Sequence, residues 1–156
     1  MDEYTRFLRD RLGHAPIIRP AASILALDER GRVLLQRRSD NGLWSITGGY
    51  LNPGEDLVSC ALRELLEETG WRGGITGLFG LYTEPATQQV TYANGDVAHA
   101  VVTVFLGRAL ERVGEPDAET LEARFFAPHD IPPDLYLPSV PVLDDFRRGE
   151  RAPVLR

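Results

Sequence analysis

The residues best suited to chemistry are concentrated in one stretch, residues 49–71, which reads GYLNPGEDLVSCALRELLEETGW. The spacing predicts a helix from Asp56 to Thr69, with Gly70 as its C-terminal stop. At about 100° per residue, Glu64, Glu67 and Glu68 fall within one arc of about 100°. Val58, Ala61, Leu62, Leu65 and Leu66 take the neighbouring arc and must face a core. Like charges three and four residues apart cost about 0.2–0.5 kcal/mol per pair. An isolated E-x-x-E-E is therefore most often a plain solvated face. Here the flanking residues give it another meaning. Carboxylate oxygens are hard ligands of the kind Mg²⁺ prefers, with water and phosphate oxygens completing its shell. Arg63 flanks the acids, and its planar fork can hold carboxylates in fixed orientation. Glu55 stands at the helix entrance, where the loop can fold it back towards Arg63. Taken singly, Arg63 is an ordinary surface residue and Glu55 a first-turn acid favoured by the helix dipole.

Gly48-Gly49 lets the backbone approach a metal ion or a phosphate with no Cβ in the way. Nothing else in the chain offers nucleophilic catalysis. His14, His99 and His129 are far apart in sequence, and Cys60, one turn before Glu64, reads as a small packing residue.

Several elements must position these groups. Asp2 to Leu12 has the spacing of a short amphipathic helix, with Tyr4, Phe7, Leu8 and Leu12 on one side. Ile17 to Leu27 reads as an apolar strand, and Val33 to Arg37 as its hairpin partner across the Asp28–Gly31 turn. Trp44 to Thr47 is a short strand running into the glycines. Strands follow at Ile75–Thr83, Val90–Tyr92 and Val97–Leu106, the last two joined through Asn94-Gly95, and at Leu121–Phe126. Pro138 to Arg148 closes the chain as a helix. The pattern is α/β: a mixed sheet with helices on its faces, in a single domain spanning residues 1–156 with an N-terminal helix in residues 1–15.

With 156 residues, 43% apolar and 26% charged, the chain has the composition of one ordinary globular domain. Its net charge of −6 and lack of a long basic cluster argue against double-stranded nucleic acid as partner. A polyanionic small molecule still fits if a cation bridges the charges. One cysteine excludes an intramolecular disulfide, and neither a signal peptide nor an apolar run of membrane-spanning length is apparent, so a cytoplasmic protein without membrane association is expected.

Taken together, Gly49, Glu55, Arg63, Glu64, Leu65, Glu67, Glu68, Gly70 and Trp71 resemble the Nudix box, G-x5-E-x7-R-E-U-x-E-E-x-G-U, where U is bulky and apolar. Every specified position is filled; Trp71 replaces the more usual aliphatic residue, and Thr47 stands where Pro usually precedes the two glycines. Leu34 to Arg38 and Gly42-Leu43-Trp44 are also similar to the family. The resemblance implies the Nudix fold, an α/β/α sandwich around a mixed sheet. It also implies Mg²⁺-dependent hydrolysis, with Mn²⁺ as a substitute, of a nucleoside diphosphate linked to another moiety. Carried over, the metal ligands are Glu64, Glu67, Glu68 and the Gly48 carbonyl, with Glu64 also orienting the attacking water and Arg63 and Glu55 supporting it. Family members often carry a further acid outside the box; Glu119 is the candidate, with Glu122 and Asp96 behind it.

The substrate is less legible. Arg37, Trp44, Gly49 and Tyr92 are the candidate contacts, with Tyr82 and Phe126 as further aromatic candidates, although rings in such positions also serve as core. Pro85, about fifteen residues after Gly70, resembles a proline of ADP-ribose-cleaving members and favours a nucleoside diphosphate sugar. A nucleoside triphosphate, or a sensing module without catalysis, are the alternatives; the intact set of box carboxylates favours the enzyme. The partner is then a nucleotide small molecule, and a homodimer is left open.

Overall fold

The computed structural model describes residues 3–150 and 153–156. Residues 17–27 form strand β1 (Ile17–Leu27), as their apolar run predicts. It pairs in parallel along its whole length with β7 (Val97–Arg112), from Ile17↔Ala98 to Leu27↔Arg108. The expected hairpin with β2 (Val33–Arg38) is reduced to one register pair, Leu27↔Val33. The remainder of that edge of β1 is taken by a later strand. Residues 44–50 split into β3 (Trp44–Ser45), which pairs with β2, and β4 (Thr47–Tyr50), which crosses to β1. The switch places Gly48 opposite Ser23 and Gly49 opposite Ala22.

The main sheet order is β3-β2-β1-β7-β5-β9, where β5 is Trp71–Tyr82 and β9 is Val154–Leu155. β6 (Gln89–Thr91) joins β7, and β8 (Thr120–Phe126) joins β2. β1–β7 and β5–β9 are parallel and the other pairs antiparallel, so the sheet is mixed. Helix α2 (Leu57–Thr69) buries Cys60, Ala61 and Leu65 against Ala22, Ile24 and Leu34 on one face. Helix α4 (Val140–Arg147) covers the other face through Val142 and Leu143, which pack with Leu25, Leu35 and Tyr82. The result is the expected α/β/α sandwich.

The remaining helices are α1 (Glu3–Leu12) and α3 (Pro85–Gln88). Met1 and Asp2, included in the expected N-terminal helix, lie outside the described residues. α1 buries none of its residues: Tyr4, Phe7 and Leu12 are exposed. Polar contacts tie it down instead. Arg9 donates to the Val97 carbonyl (2.7 Å) and pairs with Asp96, while His14 Nδ1 sits 2.8 Å from Asp96.

Candidate active site

α2 starts and stops on local signals. Asp56 caps its N-terminus by accepting from Ser59 N–H at 2.8 Å, and Gly70 ends it at φ 74°. A Cβ at Gly70 would also strike the Gly114 backbone. With the apolar arc fixed on β1, the acidic arc turns towards β4. Glu68 is the most enclosed acid, 5% exposed. It accepts from Gly48 N–H at 3.0 Å and lines one cavity with Gln36. Burial and the Glu64 charge push its carboxyl well above the usual range. Burial likewise raises Glu64, against the pull of Arg63. Gly49 leaves room for that carboxylate; a Cβ there would land on it.

Arg63 joins the acids. Its Nε and Nη2 take both Glu55 oxygens (2.7 and 3.0 Å), and its Nη1 reaches Glu64 (2.7 Å) and Glu67 (3.1 Å). The Arg63 bonds hold Glu55 below the usual carboxylate range, against the cost of burial, and Glu55 accepts from Asn52 N–H as well. Cys60, buried near Glu55, has its thiol pushed up to about 12. It is a packing residue with no thiolate to offer at neutral pH.

Beside Glu68 opens a cavity of about 220 Å³ lined by Gln36, Arg38, Ser39, Asp40, Glu68 and Glu119. Glu119 therefore shares a cavity with Glu68, and its charge reaches Glu64. The other two candidate acids are engaged elsewhere. Glu122 pairs with Arg124 at 2.6 Å, and Asp96 is held by His14, Arg9 and Asn94.

The structure places two of the expected substrate contacts away from this cavity. Arg37 does not line the cavity; it is exposed and donates to the Gly42 carbonyl at 2.9 Å. Alternation along β2 sends Gln36 and Arg38 to the site instead. Trp44 is 5% exposed and packs edge-on against Phe126 in the core. Tyr82 is also core, its hydroxyl 2.9 Å from Asp145. Tyr92 is 39% exposed. Three residues escaped the sequence reading. Gln36, 1% exposed, accepts from Thr120 Oγ1 at 2.7 Å and lines the cavity beside Glu68. Arg38 makes a two-point pair with Asp40 (3.0 and 2.8 Å) at the cavity wall. Tyr50 immediately follows Gly49. The alternation of β2 was the one available clue, and it becomes usable only once the face that meets α2 is known.

The donors are all hard oxygens, and Glu68 and Glu64 share a buried negative field with Glu119 nearby. The glycines hold the backbone close. Those features suit a divalent cation. Among the described residues no three acidic, His or Cys side chains are already convergent on one point, because Glu64 and Glu67 are turned to Arg63.

The NUDIX domain model matches residues 17–146. The chain is 39% identical over 67 residues to a putative 8-oxo-dGTP diphosphatase of Bacillus subtilis, covering 43% of this chain and 45% of that protein. It is 34% identical over 120 residues to an isopentenyl-diphosphate Delta-isomerase of Ruegeria pomeroyi, covering 71% and 63%. An ADP-ribose pyrophosphatase of Methanocaldococcus jannaschii is 25% identical over 128 residues, covering 80% and 72%. The match thus spans about half of the Bacillus protein and under two thirds of the Ruegeria one. Among solved structures, a NUDIX hydrolase from Nitrosomonas europaea superposes with a TM-score of 0.70 at 26% identity, over 88% of this chain and 76% of that one. A box filled at every position, a sandwich that sets its acids beside two glycines, and a domain match over most of the length lead to one conclusion: the chain belongs to the Nudix family.

Proposed function

We propose that this protein is a Mg²⁺-dependent pyrophosphohydrolase that cleaves the phosphoanhydride of a nucleoside diphosphate sugar such as ADP-ribose. The products are a nucleoside monophosphate and a sugar phosphate. The observation that carries the reading is the enclosed Glu68, 5% exposed and held by Gly48 N–H, beside the partly buried Glu64. Two carboxylates kept close in a low-dielectric pocket call for a cation, and a substrate with two phosphates is brought to it by that cation. Glu64, Glu67, Glu68 and the Gly48 carbonyl would hold Mg²⁺, with Glu119 facing from across the cavity. Bound there, a divalent ion supplies phosphoryl polarisation, a more acidic water and a stabilised leaving phosphate.

The chain's own residues do the rest. Arg63 orients Glu64 and Glu67, and Glu55 braces Arg63 from behind. Glu64, raised by burial, is a better proton acceptor than an exposed glutamate and is suited to take the proton of the attacking water. Arg38 offers a cation to the phosphates.

The relative named as an ADP-ribose pyrophosphatase, and Pro85 at the first position of α3, support a sugar-linked substrate. The Bacillus relative's name favours a second reading, pyrophosphate release from a nucleoside triphosphate. The experiment is a panel of nucleoside diphosphate sugars and nucleoside triphosphates with Mg²⁺ or Mn²⁺, following monophosphate and phosphate release. Turnover confined to triphosphates favours the second reading, and binding without turnover of any member would make the protein a sensor. A cytoplasmic, homodimeric enzyme completes the proposal. Its apolar Tyr4, Phe7 and Leu12 lie in solvent on α1, and sedimentation equilibrium gives the stoichiometry.

A further inference from the structure

One wall of the cavity beside Glu68 is built around a single ion pair. Arg38 ends β2, and its guanidinium meets Asp40 at two points: Nε donates to Oδ1 at 3.0 Å and Nη2 to Oδ2 at 2.8 Å. The Tyr136 ring backs the guanidinium, its centroid 4.4 Å from Arg38 Cζ. The turn that carries Asp40 is closed on itself. Arg38 N–H donates to the Leu43 carbonyl, Gly42 N–H to the Arg38 carbonyl, and Leu43 N–H to Asn41 Oδ1, each at 2.9 Å. Arg38 and Asp40 are therefore fixed relative to each other, and both line the cavity with Glu68 and Glu119.

This pairing sets which charges the wall can accept. Asp40 takes Nε and Nη2, so among the described residues Nη1 is the nitrogen left to meet a phosphate. The Arg38 bonds hold the Asp40 carboxyl below the usual carboxylate range, so the pair carries no net charge at neutral pH. A phosphodiester, with one negative charge, can be met here by hydrogen bonds alone. A terminal phosphate monoester gains a second charge above about pH 6. The wall has no further cation for it: the other ionisable residues lining the cavity are the acids Glu68 and Glu119.

We infer that Asp40 is a specificity-determining residue: paired with Arg38 at the cavity wall, it favours a pyrophosphate substituted at both ends, such as a nucleoside diphosphate sugar, over a nucleotide that ends in a phosphate monoester. This rests on the reading of the protein as a nucleotide pyrophosphohydrolase, and within it separates the sugar-linked class from the triphosphate class.

The test uses α,β-methylene-ADP and its β-methyl ester, which differ by one terminal negative charge. A carbon bridge replaces the anhydride oxygen, so neither ligand is consumed by the wild-type protein. Titration calorimetry in saturating Mg²⁺ at pH 8 gives Kd for both ligands with wild type, Asp40→Asn and Asp40→Glu. The Asp40 side chain is 55% exposed, so solvent screens it and the expected effect is moderate. Asp40→Asn should lower Kd for the monoester about three- to tenfold relative to that for the methyl ester, and Asp40→Glu should keep the wild-type ratio. A ratio unmoved or reversed in Asp40→Asn overturns the inference. So does an Asp40→Glu ratio equal to that of Asp40→Asn, or failure of both ligands to bind wild type. Turnover is read separately, and Asp40→Asn should shift kcat/KM from ADP-ribose towards ATP by a similar factor. If wild type cleaves neither nucleotide, the hydrolase reading fails, while the ratio of binding constants still decides the role of Asp40.

Discussion

At the scale of single residues, Arg63 and Glu68 represent two ways of fixing a carboxylate. Arg63 gathers Glu55, Glu64 and Glu67 through three nitrogens of one rigid plane. Lysine at that position keeps the charge and loses the fork. Arg63→Lys should lower kcat at least tenfold with Mg²⁺ saturating, and a rate within twofold of wild type would show that a point charge suffices. Glu64→Gln and Glu68→Gln should each lower kcat by about 10²–10³ without loss of the folded circular-dichroism signal, the usual cost of one positioned electrostatic group. Position 68 also tests the metal directly. A ligand bound only by the folded state adds about 2.7 kcal/mol at roughly a hundredfold excess over Kd. Thermal unfolding at fixed ionic strength should therefore show Mg²⁺ stabilising wild type, and Glu68→Gln much less. Equal shifts would place the ion elsewhere.

At the scale of elements, what the sequence disclosed follows from how local each signal is. α2 was legible to within a residue because its cap, its stop and its acidic arc all lie within one stretch. β1 was legible from its apolar run. β5 begins at Trp71, four residues before the expected Ile75, because Gly73, Gly74 and Gly77 read as punctuation when no neighbour is known. β7 runs on to Arg112, past the expected Leu106, since its far end is exposed and pairs with that same glycine-rich segment. α3 and β9 are too short to carry a pattern. The box half of the site was legible for the same reason as α2. Gln36 and Arg38 were not, because strand register and a bulge between Arg37 and Arg38 bring them to the site. Asp145 shows how distant elements are joined. Its side chain is fully buried and bonded to Tyr82 of β5, to Arg148 and to Arg156 beyond β9. Burial raises its pKa, but those three partners outweigh it and hold the carboxyl below its usual value. The folded pKa is thus depressed. The stabilisation is complete above the unfolded value, about 3.9, and is lost as pH falls below it towards the folded one. Asp145→Asn should cost about 3 kcal/mol in urea unfolding at pH 7, with the gap to wild type narrowing below about pH 4.

At the scale of the whole molecule, an acidic protein is proposed to act on a polyanion. Without a divalent ion its net charge of −6 opposes nucleotide binding. In chelator, raising the salt concentration should weaken that repulsion, so any residual ADP-ribose affinity should rise or stay flat. A fall with salt would reveal a basic surface and reopen nucleic-acid substrates.

The crossing of β4 from β2's edge to β1 has a consequence for motion. Gly48 and Gly49 are glycines in composition, yet they are laddered onto the most central strand of the sheet, opposite Ser23 and Ala22. The floor of the proposed metal site can therefore open only with the core itself, so substrate entry has to be accommodated by the opposite wall, where Glu119 and Ser39 stand. Amide exchange offers a direct reading. The Gly48 proton, donated to Glu68, should exchange on the timescale of global unfolding while the amides around residue 119 exchange far faster.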